Sequence, residues 1–240
     1  TQKDNTLLAA SVAVLLLFPL LLIFFDYEKN WDWSTLTYTD LWSPGGFIRR
    51  IFYNGFHPIF PWASFMIFGM WLARKDLANR EVRRKLLINS LALLSITEIG
   101  CYLLKAIYLN HVANESVTED IMFLFSTAVM PPLPQYIISA GSSSVIVIIG
   151  SLYFCEKFPT LHASNWLCQT GQMTLTLYVS HVIFGMGLLQ HVGLLEHQTI
   201  DFSVTAALVF YAAAIFFSVF WLKHFSAGPL EYFFRKITKR

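Results

Sequence analysis

Six stretches of the chain are predominantly apolar over roughly a bilayer's thickness: Leu7 to Phe25, Phe56 to Ala73, Leu86 to Leu109, Leu133 to Phe154, Gln172 to Leu194 and Phe202 to Leu222. A helix needs about 20 such residues to cross the hydrocarbon core. None shows the ten-residue alternation of an outer-membrane strand, and a lone span must satisfy its own backbone, so helices are predicted. The pattern implies an all-α fold: a polytopic transmembrane helical bundle of about six spans, forming one transmembrane domain over residues 1–240.

Two further segments are neither spans nor plain loops. Trp31 to Ile51 mixes Trp31, Trp33, Tyr38, Trp42 and Phe47 with polar residues and Gly45-Gly46, the composition of a membrane interface. It is expected to lie flat or fold over the bundle. Ile121 to Met130 is apolar but too short to cross, and Pro131-Pro132-Leu133-Pro134 cannot continue a helix smoothly. An interfacial or re-entrant helix is predicted there, bordering an outer vestibule.

Composition agrees with the pattern. The 240 residues are 55% hydrophobic and 13% charged, against about 25% charged in soluble domains. Such a chain belongs in a lipid bilayer. A phosphate-binding glycine loop, an HExxH or CxxC metal set and a G-x-S-x-G elbow are all missing. The sequence therefore gives no sign of ATP hydrolysis, nucleic-acid binding or a metal site. Cys101, Cys155 and Cys168 lack ligand spacing and read as packing residues, and Asn114-Glu115-Ser116 is only a formal glycosylation sequon.

Charge orients the bundle. Arg74, Lys75, Arg80, Arg83, Arg84 and Lys85 follow the second span, while Lys223, Arg235, Lys236, Lys239 and Arg240 follow the last. An even number of spans separates the clusters, so they share one face, which the positive-inside rule puts in the cytoplasm with both ends of the segment. The Lys157 loop falls on that face. The opposite loops carry Asp26, Glu28, Asp32, Asp40, Glu115, Glu119, Asp120, Glu196 and Asp201. Arg49 and Arg50 are the exceptions there, either snorkelling to head groups or meeting an anionic ligand. A bacterial cytoplasmic membrane is the expected location.

Candidate chemistry lies at polar positions within spans, which are costly in lipid and by default face protein or water. Glu98 sits mid-span, with Tyr102 and Lys105 on the same helical face. Lys105 can snorkel, but Glu98 must be protonated or paired, and His181 is its expected partner. In the fifth span Gly171, Thr174, Tyr178, His181 and Gly185 recur every three or four residues. Such a stripe is either ordinary membrane helix packing or, through His181, a proton-carrying site. His57, at the outer end of the second span between Phe56 and Pro58, is either a polar cap or a general base or nucleophile.

The segments FHPIFPWASFMIFGMWLARKDL, MPPLPQYIISAGSSSVIVI, TGQMTLTLYVSHVIFGMGLL and GPLEYFFRKIT together resemble the C-terminal half of the YeiB-like family. That family is grouped with heparan-alpha-glucosaminide N-acetyltransferases in the transmembrane acyltransferase superfamily. The resemblance implies acyl transfer, usually of acetyl from cytosolic acetyl-CoA, to an amine or hydroxyl of a glycan or similar small acceptor across the membrane. The acyl-CoA is then a donor substrate, and no metal is called for. Family members begin with an Asp-x-x-Arg-Gly helix, and the superfamily's catalytic histidine lies in the N-terminal half. Neither is in this chain, which starts at Thr1 and reads as the C-terminal part of a longer membrane protein.

Two function classes follow. In an acyltransferase or its C-terminal module, Arg74 and Arg84 in the basic loop meet the CoA phosphates. Glu98 and His181, with Thr174, Tyr178 and Lys105, line the pocket, and His57, Arg49 and Arg50 lie near the acceptor. In a non-enzymatic membrane protein, Glu98 and His181 form a proton relay in a small-molecule transporter, or the stripes pack in a homo-oligomer or against a partner subunit. Transporters of that kind usually carry two related halves, and no internal repeat is evident.

Overall fold

A computed structural model of the chain describes residues 4–35, 37–111, 115–196 and 198–238. The sequon's Asn114 and the cations Lys239 and Arg240 lie outside the described residues. The chain forms two compact units, Thr1–Leu152 and Tyr153–Arg240.

In the first unit, α1 (Asp4–Phe24) packs on α3 (Ile59–Leu72). Leu7, Ser11, Leu15 and Phe18 are buried, a spacing that puts them on one helix face. Serine lets the backbones approach and adds a bond across them: Ser11 Oγ donates to the carbonyl of Ser64 at 2.9 Å. Helix α4 (Arg80–Leu109) starts where the Asn79 side chain accepts from the amide of Glu81 at 2.8 Å, satisfying one of the first turn's orphan donors. Arg83 is 1% exposed, so it does not belong to the solvent-facing basic patch that Arg74 and Arg84 do.

Between α1 and α3 lies the segment expected at the interface. Its first part is a two-stranded antiparallel hairpin, β1 (Trp31–Asp32) and β2 (Thr37–Tyr38), with Trp31 opposite Tyr38. Helix α2 (Pro44–Arg49) follows and runs into a π-helical turn over Arg50–Asn54. Phe18, Tyr27, Tyr53 and Leu133 form the core beneath it, whereas Trp42 projects outward at 92% exposure, as an interfacial anchor would. Asn54, fully buried, ties the parts together. Its Nδ2 donates to the carbonyls of Tyr27 and Lys29, both at 2.9 Å, and its Oδ1 accepts from the Tyr38 hydroxyl at 3.1 Å. The Asn54 carbonyl in turn accepts from Trp31 Nε1 at 2.6 Å.

The short helix expected at Ile121 to Met130 is found earlier, as α5 (Glu115–Leu124). At its end Gln135 Nε2 donates to the Leu124 and Ser126 carbonyls, at 2.7 and 3.0 Å, and prolines from Pro131 on keep their predecessors out of helical geometry until Pro134. Helix α6 (Pro134–Lys157) follows.

The second unit holds α7 (His162–Gln172), α8 (Thr174–Ser180), a π-helical turn over His181–Met186, α9 (Gly187–His191), α10 (Ile200–Trp221) and α11 (Pro229–Thr238). The stretch expected as one straight span from Gln172 to Leu194 is instead broken from α7 at fully buried Met173, whose φ of −112° and ψ of 21° leave the helical region. The two pieces meet at 72°.

All six expected apolar stretches are thus helical. Among the described residues α1, α4, α6 and α10 are long and apolar enough to cross a membrane, and the bent pair of α7 with α8 and α9 has the length and composition of either a broken fifth span or a re-entrant loop. Helix α3, with 14 residues, extends about 21 Å, short of the roughly 30 Å hydrocarbon core. The fold is all-α and the protein is integral to a membrane.

Candidate functional site

The π-helical turn Arg50–Asn54 and the start of α3 shape an open cavity of about 400 Å³ lined by Leu41, Phe47, Arg50, Ile51, Gly55, Phe56, His57 and Ile59. Insertion of one residue into a helical turn re-aims the side chains after it, and such turns recur at functional sites. Here the result is that Arg50 and His57 share one mostly apolar cavity. The Arg50 guanidinium lies 5.6 Å from the centre of the Tyr38 ring, a distance at which the ring face attracts a cation. The exposed His57 ring stands edge-on to Trp62 at 4.5 Å between centroids. Gly55 is required at the mouth, because a Cβ there would run into the carbonyl of Arg50.

Arg49 does not join Arg50. Its guanidinium donates to the Asp26 carbonyl and lies 5.3 Å from the Tyr53 ring centre, so it fastens α2 to the loop after α1. Tyr53 donates to the Phe25 carbonyl at 2.6 Å. Burial pushes the phenols of Tyr27 and Tyr53 up, that of Tyr53 to about 12, which keeps both neutral and removes them as bases near the cavity.

A chain of contacts runs inward from His57. Trp62 stands 6.2 Å from Tyr136 on α6, and one turn further along α6 the Ser139 hydroxyl donates to Glu98 Oε1 at 2.5 Å. Thr127, in the extended segment after α5, donates to Glu98 Oε2 at 3.2 Å. The mid-span carboxyl is therefore held by two hydroxyls of its own unit. Spacing keeps Tyr102 and half-buried Lys105 on the same face of α4.

In the second unit the expected stripe divides. Gly171 falls on α7, beyond the break, so it does not share a face with the others. His181 and Gly185 pack on α10 at Phe210, the His181 ring at 6.4 Å and a Cβ on Gly185 at 3.5 Å from Phe210 Cδ2. His181 Nδ1 meets the carbonyl of Tyr178 in its own helix, and Thr174 and Tyr178 are exposed.

The most connected polar group there lies off that stripe. Glu231 Oε1 accepts from the Thr176 amide at 3.0 Å and Glu231 Oε2 accepts from the Thr176 hydroxyl at 2.5 Å. The same hydroxyl accepts from the Leu230 amide at 3.1 Å. The amide of Thr176 is one of the orphan donors at the start of α8, so a carboxylate from the far end of the chain caps the helix that the Met173 break creates. Partial burial pushes the Glu231 carboxyl up, but the bonds from Thr176 outweigh it and hold it below the ordinary glutamate range. The runs Gly171 to Tyr178 and Gly228 to Glu231 lie far apart in sequence, and no motif joins them. Nothing in the local pattern singles out Thr176 or Glu231, since α8 also carries Thr174 and Ser180 and α11 also carries Arg235 and Lys236.

Among the described residues no cluster of His, Cys, Asp and Glu is arranged to hold a metal ion.

Residues 72–240 match a family described as "Protein of unknown function (DUF418)". The chain is also similar to the "Uncharacterized protein YeiB" of Escherichia coli (strain K12), with 34% identity over 70 residues, 29% of this chain and 18% of that protein. The chain thus matches under a fifth of the length of this curated relative. No solved structure matches.

Proposed function

The chain belongs to the DUF418 family, and from that premise we propose that it is part of a membrane-embedded acyltransferase. The reaction moves an acyl group, acetyl in the simplest case, from a cytosolic acyl-CoA to an amine or hydroxyl of a glycan or similar small acceptor. One observation carries this reading: Arg50 and His57 line the same open cavity. A cavity with apolar walls, one fixed cation and one imidazole suits a small acceptor of mixed polarity. His57 takes the proton from the acceptor's N–H or O–H as the nucleophile attacks the acyl carbonyl, and the C–S bond breaks to release the CoA thiolate. Arg50 orients the acceptor or steadies charge on the acyl oxygen.

The sequence motifs that resemble transmembrane acyltransferases favour the same class of chemistry. Arg74 and Arg84, both exposed on the basic loop, suit the CoA phosphates, with that loop and the tail on the cytoplasmic side of a bacterial cytoplasmic membrane. Acetyl transfer from acetyl-CoA by the purified full-length gene product in nanodiscs tests the proposal. His57→Ala should lower transfer by about 10²- to 10⁴-fold while acetyl-CoA binding persists. Unimpaired transfer by both His57→Ala and His181→Ala overturns the assignment of either histidine.

Glu98 motivates a second reading. A mid-span carboxyl held by two hydroxyls is the kind of group that relays protons. Flux of a small solute into proteoliposomes that depends on pH and needs no acyl-CoA would favour a transporter.

A further inference from the structure

Helix α11 has a sequence that separates sharply by face. Leu230, Phe233, Phe234 and Ile237 recur at the three-and-four spacing of one stripe, and Phe233, Phe234 and Ile237 remain 55%, 49% and 56% exposed. Arg235 and Lys236 occupy its last turns. With 10 residues the helix is about 15 Å long, half the thickness of the hydrocarbon core, so it cannot bury this stripe by crossing.

Its position is fixed at both approaches. Trp221, at the end of the long apolar helix α10, donates from Nε1 to the Ala227 carbonyl at 3.0 Å and stacks on Phe225 at 4.2 Å. That turn sets the start of α11 a few residues beyond the end of a span, at the depth where tryptophan itself prefers to sit. The bonds of Thr176 with Leu230 and Glu231 then hold its first turn against α8.

We propose that α11 is an interfacial helix that seats its Leu230, Phe233, Phe234 and Ile237 stripe in the bilayer surface and binds anionic lipid head groups through Arg235 and Lys236. Three observations select a lipid surface as the occupant. The stripe emerges at the end of a membrane span, the polar face behind it ends in the cations Arg235 and Lys236, and the one acidic residue of the helix, Glu231, is bound to Thr176. An amphipathic helix of this kind binds by apolar burial plus attraction to anionic lipid. Each cation near such a surface contributes about a five-fold preference.

Hydrogen exchange of the intact protein in nanodiscs tests this, with phosphatidylcholine alone compared against phosphatidylcholine containing about one third phosphatidylglycerol. Amides 233–238 should exchange about ten-fold more slowly in the anionic discs, and the double variant R235Q/K236Q should lose that difference while amides of α10 stay unchanged. Equal exchange in the two lipids overturns the proposal without any variant. So does a difference that survives R235Q/K236Q, or protection that appears only when a disc holds two copies, since a second chain would then cover the stripe.

Discussion

Thr176 and Glu231, 55 residues apart, form a closed pair in which one carboxylate accepts both the amide and the hydroxyl of the threonine. The pair stops α8 from being a continuation of α7. A straight helix would spend the Thr176 amide on the carbonyl of Gln172, four residues back, and that amide is instead taken by a charge from outside. Thr176→Val should cost about 1–3 kcal/mol, because Glu231 and the Leu230 amide each lose a partner. Thermal unfolding of the second unit in detergent, followed by helical circular dichroism, measures it.

The same pair sets a pH dependence. The folded carboxyl of Glu231 titrates below the ordinary glutamate range, so its contribution is fully present above the unfolded value of about 4.3. It fades as pH falls through the lower folded value. Stability of the wild type should therefore drop on acidification, and Glu231→Gln should flatten that limb. Unfolding midpoints taken from neutral pH down to strongly acidic pH would reveal it, and parallel curves for the two proteins would count against the pair.

Gly228→Ala should be about as damaging as losing the pair. A Cβ at that position would strike Glu231 Oε2 and come within 2.8 Å of Thr176 Oγ1, and both atoms are fixed by each other. A destabilisation of about 2 kcal/mol is expected. In Gly228→Ala/Glu231→Ala much of that added cost should vanish, a non-additivity that a double-mutant cycle reads directly.

Asn54→Ala should loosen the hairpin and α2 without unfolding the spans. It removes the partners of the Tyr27 and Lys29 carbonyls and of the Tyr38 hydroxyl, at a cost of about 3 kcal/mol. Limited proteolysis between Asp26 and Ile51 should accelerate, with tryptophan emission shifting to the red as Trp31 is freed. Unchanged cleavage would mean that the aromatic cluster alone holds the cap.

For the cavity, His57→Ala should lower acyl transfer by about 10²- to 10⁴-fold if the imidazole removes the acceptor's proton. Arg50→Gln should act mainly on the acceptor's KM, and Arg50→Lys should recover only part of the loss because a point charge does not reproduce the guanidinium fork. Steady-state kinetics with acceptor and acetyl-CoA varied separately distinguish these effects. An equal effect of Arg49→Gln and Arg50→Gln would show that the cation's placement in the cavity is irrelevant.

Residues such as Leu7, Phe18 and Ile149 announce their role locally, since apolar runs of a given length leave few alternatives in lipid. The unusual segment from Trp31 to Ile51 stood out by composition, whereas α4 begins at Arg80, six residues before the apolar stretch that marks it. The position of α5 was not legible either, and at its end Gln135 reaches back to two carbonyls. Of the site residues, His57 and Arg50 were both visible as polar exceptions in apolar surroundings, yet nothing in their spacing separated Arg50 from Arg49. The π-helical turn makes that distinction, sending one guanidinium to a main-chain carbonyl and the other to the cavity. Glu98 stands out as a mid-span carboxyl in need of partners, but the Ser139 and Thr127 hydroxyls that hold it do not, because such residues are common and have no signature of their own.

What the sequence by itself determined is the class: apolar length sets how many segments prefer lipid, and charge placement ranks their ends. Tertiary structure alone decided where a span breaks, which arginine faces the cavity and what holds Glu98. Each of those turns on a hydrogen bond between residues 23 to 55 positions apart, and no local pattern names a partner that only the folded chain brings within reach.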